Sequence, residues 1–230
     1  MNYVMLTKAL IAVRSGSQRV VNKNMRPFAD SNLLEIKIQQ LKRIPELDGI
    51  IVNSNDDQML LLAEKLGCEI VKRDSYYASN TVSMSEVYKN MAEEANTDII
   101  VYANATNPLL KDGTFSDAIR TYWTLNGFDS LNSAHLVKEF LFKDNKPINY
   151  DLKHQPRSQD LPDIYALNFA INIIKRETMI ECMNVVGMHP FIYQIDEVEA
   201  TDIDNQIDFD FAEYIYKQTF MKKDIYHGEN

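Results

Sequence analysis

Positions 14–26 hold four basic side chains, Arg14, Arg19, Lys23 and Arg26, and no acidic one. The chain around them is acidic, with 24 basic and 33 acidic residues and a net charge of −9. The stretch opens as Arg14-Ser15-Gly16-Ser17 directly after the apolar run Ala9–Val13. A Gly/Ser turn exposes backbone N–H groups, and Arg and Lys add positive charge, so the chemistry it suits is the grip of a polyphosphate. It contains no Gly-Lys-Ser/Thr and no Gly-x-Gly-x-x-Gly, so neither a Walker loop nor a dinucleotide fingerprint explains it. The plainer alternative is a solvated basic loop.

A second group is Glu199-Ala200-Thr201-Asp202-Ile203-Asp204. In extended chain Asp202 and Asp204 point the same way, because side chains alternate. Two carboxylates on one edge suit Mg²⁺, a hard cation that a triphosphate needs for charge neutralisation. Alone, an Asp-x-Asp in so acidic a chain is more often a solvated turn; paired with an anion-binding loop it reads as a metal site. Asn104-Ala105-Thr106-Asn107-Pro108 follows an apolar run and offers amides and hydroxyls to a base or sugar, or simply a turn before a helix. Gln155–Pro162, with Tyr165 and Asn168 beyond, places Arg157 in a Pro-bounded polar stretch, where it could meet a carboxylate bidentately or lie on the surface. His135, His154, His189 and His227 share no metal-ligand spacing. Cys68 and Cys182 read as small buried thiols rather than a zinc or redox pair.

The elements that must position these residues alternate. Strands are expected at Ala9–Val13, Gly49–Val52, Glu69–Val71, Asp98–Tyr102 and Asp129–Ala134. Between them Leu34, Ile38 and Leu41 have helical spacing behind an Asn32/Glu35 capping box. Met59–Leu66 is a helix stopped by Gly67, Ser85–Ala95 is another, and Thr114–Leu125 is stopped by Gly127. This β-α-β-α order predicts a mostly parallel sheet with helices on both faces, and ligands at the carboxyl ends of its strands. After Ala134 the rhythm breaks. Residues 135–163 are polar and read as a hairpin lobe or dimer arm, too short for a second domain. Regular structure resumes at Tyr165–Ile174 and Pro190–Ile195, and an amphipathic helix near Phe209–Phe220 closes the chain.

Length and composition bound the class. The 230 residues form one domain with an insert at about 135–165. Hydrophobic residues at 45% and charged residues at 25% exclude a disordered or disulfide-stapled chain. The negative charge argues against nucleic acid as a partner. Residues 1–13 fall short of the ~18 apolar residues a membrane span needs, and a cytoplasmic location is expected.

Taken in order, these segments resemble the acylneuraminate cytidylyltransferases, the CMP-sialic acid synthetases. That family carries an Arg-x-x-Ser-Lys-x-x-x-x-Lys-Asn-x-Arg loop after its first strand, matched by Arg14, Ser17, Lys23, Asn24 and Arg26. Arg73 with Ala78-Ser79-Asn80-Thr81 resembles its Arg-Pro…Ala-x-Asp-Thr stretch. Asn104–Leu109 is similar to Gln-Pro-Thr-Ser-Pro-Leu, and Gln155–Pro162 with Asn168 to Arg-Gln-x-Leu-Pro…Asn-Gly. Asp202-Ile203-Asp204, with Asp208, Ala212 and Glu213, matches the terminal pattern. The likeness spans about residues 8–216.

The resemblance implies a Rossmann-like three-layer α/β/α fold of the nucleotide-diphospho-sugar transferase type. It implies attack of a sugar acid's anomeric hydroxyl on the α-phosphate of CTP, with release of pyrophosphate. Arg14, Ser17, Arg19, Lys23, Asn24 and Arg73 would hold the nucleotide, Arg14 and Lys23 serving catalysis with Asp202 and Asp204. The two aspartates would hold Mg²⁺. Asn104, Lys138, Arg157, Gln159 and Asn168 would meet the sugar. The family commonly forms homodimers, the arm after residue 134 reaching towards the partner's site. No His or Glu in the motifs is an obvious base.

Four positions depart from the family pattern: Gln18 replaces its lysine, Asn80 its aspartate, Asn104 its glutamine and Phe169 its glycine. Asn104 and Phe169 favour a changed acceptor, such as an octulosonic acid. A metal-dependent glycosyltransferase is disfavoured by the basic loop after the first strand. A non-catalytic nucleotide-binding homologue is disfavoured because both aspartates are kept.

Overall fold

The computed structural model describes residues 5–17 and 19–221; Gln18 and His227 lie outside the described residues. The chain runs β1 (Thr7–Ala12), α1 (Leu33–Leu41), β2 (Gly49–Ser54), α2 (Asp57–Lys65), β3 (Glu69–Lys72), α3 (Ser75–Ala78), α4 (Met84–Glu94), β4 (Ile99–Ala103), α5 (Asp112–Thr124) and β5 (Ser130–Val137). The short pair β6 (Phe142–Lys143) and β7 (Lys146–Pro147) follows, then β8 (Ile164–Lys175), α6 (Arg176–Cys182), β9 (Pro190–Gln194) and α7 (Gln206–Tyr216).

Seven strands form one sheet in the order β3-β2-β1-β4-β8-β5-β9. All neighbours are parallel except β8, which runs antiparallel to both β4 and β5. The expected mostly parallel sheet is present. The reversal of β8 was not visible in its apolar run, because direction depends on which strands it lies between. Apolar side chains of α1, α2 and α5 (Leu34, Ile38, Met59, Phe115, Ile119) cover one face. Those of α4 and α6 (Val87, Met91, Met179) cover the other.

Local signals place most helix ends. Ser83 and Glu86 form a reciprocal capping box on α4, and Asn205 and Asp208 form one on α7. Gly67, at φ +74°, closes α2: its N–H donates to Glu64 O while Cys68 N–H donates to Ala63 O. On α1 the expected box is only half formed. Asn32 accepts from Glu35 N, but the Glu35 carboxylate instead takes the Ser31 hydroxyl. Cys68 and Cys182 are free and half-buried rather than buried. The insert forms the β6–β7 hairpin with exposed Phe142, Ile148 and Leu152.

Winding sets the site. From β1 the chain steps to β2 and β3 on one side, and β4 then lands on β1's other side. The carboxyl ends of β1 and β4 therefore diverge into a crevice, where such sheets bind ligands.

Candidate active site

Residues 14–27 leave the end of β1 and fold over that crevice. Gly16 makes the turn at φ +82°, in the left-handed region that glycine enters without strain. Beyond it, Met25 and Arg26 both donate their N–H groups to Asn22 O, winding the loop into a compact turn. Val20 pins it by burying against the cluster of Phe28, Leu33, Ile203 and Phe209. Asn24 O accepts from Leu34 N, so the loop is anchored to the first turn of α1. Arg26 takes no part in the crevice: its guanidinium lies 4.4 Å over the Phe209 ring and reaches Gln206 at 3.0 Å, fixing α7.

The aspartate segment crosses the same crevice. It lies outside helix and strand, with Ile203 fully buried and Asp202 and Asp204 both partly open. Three tethers hold it to the turn after β4. Ile203 N donates to Thr106 O at 3.0 Å, the Asn107 amide donates to Thr201 O at 3.0 Å, and buried Glu199 accepts from Lys111 N, Lys111 Nζ and Thr114 Oγ1. Glu199 thereby caps the start of α5, where a carboxylate also meets the helix dipole.

Between loop and segment lies a cavity of about 450 Å³. Arg14, Ser17, Arg19, Lys23 and Asn24 line it from the loop, Asn104, Ala105 and Thr106 from the end of β4, and Asn80 and Asp204 from opposite sides. Arg19 reaches Asp204 at 2.7 Å, and Lys23 Nζ donates to Ile203 O. Lys23 and Asp202 sit in one field. Burial pushes the Lys23 ammonium pKa down, against the pull of Asp202, and pushes the Asp202 carboxyl up, against the Thr106 side-chain hydrogen bond and Lys23. Two half-buried groups of opposite sign, each raising the other's charged fraction, suit a site that receives further charge.

A second cavity of about 340 Å³ adjoins the first and shares Ala12, Val13, Arg14 and Asn80 with it. Its walls are more apolar: Tyr77, Val82, Val87, Met91 and Tyr102. Arg73 forms one side, 5% exposed, with Nε 2.5 Å from Asn53 Oδ1 and Nη2 3.0 Å from Asn53 O. Arg14 separates the two spaces and donates to Ala78 O at 2.8 Å.

The residues proposed for the sugar divide. Asn104 lines the first cavity. Asn168 is buried in the sheet, where its Oδ1 accepts from Ser133 Oγ at 2.6 Å. Lys138 pairs with Asp163, and Arg157 is a bidentate partner of Asp160 in the insert. Gln159 is exposed beside it. The single chain does not bring these last four to the cavity wall. Sequence reasoning gave no role to Glu199 or Lys37, and it offered the Asn107 amide to a base or sugar, whereas Asn107 is fully buried, lines neither cavity and donates to Thr201 O. Glu199 stood inside the acidic run, but its capping duty arises only where that run meets α5.

The site fits a magnesium ion. Asp202 Oδ1 is buried without a partner, and Asp204 stands two residues on along the same edge. Among the described residues no cluster of three or more His, Cys, Asp or Glu side chains is placed to hold a metal. One or two carboxylates, completed by water and phosphate oxygens, is the usual protein contribution to Mg²⁺.

Comparison with known proteins identifies the family. Residues 8–228 match the profile of the family described as Cytidylyltransferase. The post-translational flagellin modification protein B of Campylobacter coli is 26% identical, over 90% of this chain and 94% of that protein. The N-acylneuraminate cytidylyltransferase of Escherichia coli is 25% identical over 96% of this chain but 54% of its own length. The CMP-N,N'-diacetyllegionaminic acid synthase of Campylobacter jejuni is 23% identical, over 89% of this chain and 92% of that one. A solved CMP:2-keto-3-deoxy-manno-octonic acid synthetase complexed with CTP superposes with a TM-score of 0.69, covering 93% of this chain and 99% of that one. At 8% identity it shows the shared fold alone. By its sequence profile the chain belongs to the cytidylyltransferase family, and it is a nucleotidyltransferase.

Proposed function

We propose that this chain transfers CMP from CTP to the anomeric hydroxyl of a nonulosonic acid and releases pyrophosphate. The observation that carries the reading is a facing pair: the basic loop at the end of β1 and Asp204 line one cavity, and Asp202, two residues back on the same segment, lies in the field of Lys23. Relatives named for N-acylneuraminate, N,N'-diacetyllegionaminic acid and pseudaminic acid support a nonulosonic acceptor over an octulosonic one.

Phosphoryl-type transfer needs positioning and charge neutralisation more than covalent help. Arg14, Arg19 and Lys23, with the N–H groups around Gly16 and Ser17, would bind the triphosphate. Lys23 would stabilise charge on the phosphates as pyrophosphate leaves. The more apolar second cavity would take the base, with Arg73 and Asn80 at its polar edge. Asn104 would orient the acceptor. Asp202 and Asp204 would hold Mg²⁺, which when bound neutralises phosphate charge and polarises the phosphorus under attack. The binding of nucleotide would displace Arg19 from Asp204, so that one contact serves as a placeholder for the charge to come.

Lys138, Arg157, Gln159 and Asn168 are proposed for the acceptor carboxylate and its neighbours. The first three belong to an insert whose exposed Phe142, Ile148 and Leu152 offer a face to a second copy.

Pyrophosphate release with CTP and Mg²⁺, run against N-acetylneuraminate, legionaminate, pseudaminate and octulosonates, tests the reading. Turnover with CTP and one nonulosonic acid, lost on chelation, is expected. Turnover with an octulosonate alone would replace the acceptor. No binding of CTP would sink the assignment.

A further inference from the structure

A lysine in the middle of α1 is 0% exposed. Lys37 Nζ donates to Gln40 Oε1 at 2.7 Å and to Asn107 O at 3.0 Å, and stands 5.0 Å from the centre of the Phe115 ring. The carboxylate whose charge it feels is Asp112 on α5, which is already held bidentately by Arg43, just past the end of α1, at 2.7 and 3.0 Å. Burying an ammonium without a direct carboxylate partner is costly, and a methionine would fill the same space more cheaply. The cost is local, and so is what it supports.

Asn107 is the other end of the contact. It is fully buried in the turn after β4, its amide nitrogen holds Thr201 O, and its Oδ1 has no partner. Thr201 immediately precedes Asp202. A single residue thus receives a charge-assisted bond on its backbone and passes a bond to the backbone of the aspartate segment.

We propose that Lys37 is a positioning residue for nucleotidyl transfer: its ammonium holds Asn107, and Asn107 in turn holds the chain that carries Asp202 and Asp204. The inference rests on the reading of those aspartates as metal ligands, and it adds a component outside the cavity. Lys37 touches neither cavity.

The test compares the full-length wild type with Lys37→Met, which keeps the length and removes the donors, and Lys37→Gln, which restores one donor. Hydrogen exchange of the amides at 201–205 reads the relay without any substrate. Titration with Mn²⁺ in the presence of CTP, followed by calorimetry, reads the metal site without turnover. Lys37→Met is expected to speed exchange at 201–205 by about fivefold or more while α2 and β3 stay unchanged. It is expected to weaken Mn²⁺ severalfold, and to lower kcat about tenfold with the KM for CTP within twofold. Lys37→Gln should recover part of each.

Unchanged exchange at 201–205 and unchanged Mn²⁺ affinity in Lys37→Met would overturn the proposal. If Lys37→Met does not fold, the same two readouts on Lys37→Gln decide, with wild-type values in both counting against it. A wild type that turns over none of the acids would instead defeat the functional reading, and exchange would still judge the relay.

Discussion

At the residue scale the site is a balance of buried charges. Replacing both aspartates with asparagine removes the only carboxylate pair proposed for the metal. Turnover is expected to fall by about a thousandfold or more, because a metal clamp supplies several kcal/mol of transition-state stabilisation. A binding readout separates this from misfolding. Mg²⁺ with CTP should raise the Tm of the wild type by mass action and leave the Asp202→Asn, Asp204→Asn variant almost unmoved. An equal shift in both would remove the aspartates from the metal.

Lys37 makes a prediction about pH. In the fold, burial lowers its pKa from 10.5 to about 7. The unfolded chain therefore binds more protons than the folded one between about 7 and 10.5, and stability contributed by this group rises with pH across that window. The penalty is fully present below about 7. The slope is on the order of 1.4 kcal/mol per pH unit at most. Urea unfolding from pH 6 to 9 should show this rise in the wild type and lose it in Lys37→Met. Parallel curves for the two proteins would show that burial does not lower the pKa of Lys37.

At the element scale, two features decide whether the site is rigid. Glu199 ties the β9–α7 connection to the first turn of α5. Glu199→Ala leaves Lys111 N and Thr114 Oγ1 unpartnered and should cost about 2 kcal/mol, read as a lower urea midpoint. The second feature is the bulge where β5 and β8 lose register near Asn132 and Ala134. Phe169 lies there at φ +54°, a left-handed conformation that an aromatic residue rarely adopts. Where the resembled pattern has glycine this chain places a ring, packed against the α4–α6 side of the sheet. Phe169→Ala keeps the strained φ and loses the ring; Phe169→Gly loses the ring and the strain together. The glycine variant should be the more stable of the two by about 1 kcal/mol, the cost of a left-handed Cβ. The reverse order would mean that the bulge relaxes.

At the scale of the whole molecule, the division of the sugar candidates points to an assembly. Arg157 and Gln159 sit in the insert, apart from the cavity of their own chain. If two copies exchange inserts, light scattering should return twice 26.6 kDa. Mixing Arg157→Ala with the doubly substituted aspartate variant, both inactive alone, should then restore about a quarter of wild-type turnover, since half the dimers are mixed and each has one intact site. No recovery in a mixture shown to exchange subunits would place Arg157 outside the partner's site.

The sequence by itself determined much of this protein. The apolar runs, the caps at Asn32 and Gly67, and the strand–helix alternation set a mostly parallel sheet, because these signals are local in the chain. The basic loop was legible for the same reason: four cations and a Gly/Ser turn within positions 14–26 stand out against a chain of net charge −9. The shared exposure of Asp202 and Asp204 on either side of buried Ile203 is what alternation gives for extended chain. What only the tertiary structure decided depends on residues far apart in sequence. The reversal of β8 is set by its two neighbours. Glu199 acquires a purpose only against α5, and Asn107 only between Lys37 and Thr201. A lysine beside Leu34, Ile38 and Leu41 reads in sequence as a solvent-facing residue of an amphipathic helix. It is buried because the turn after β4 supplies a carbonyl for its ammonium, and no local pattern records that meeting.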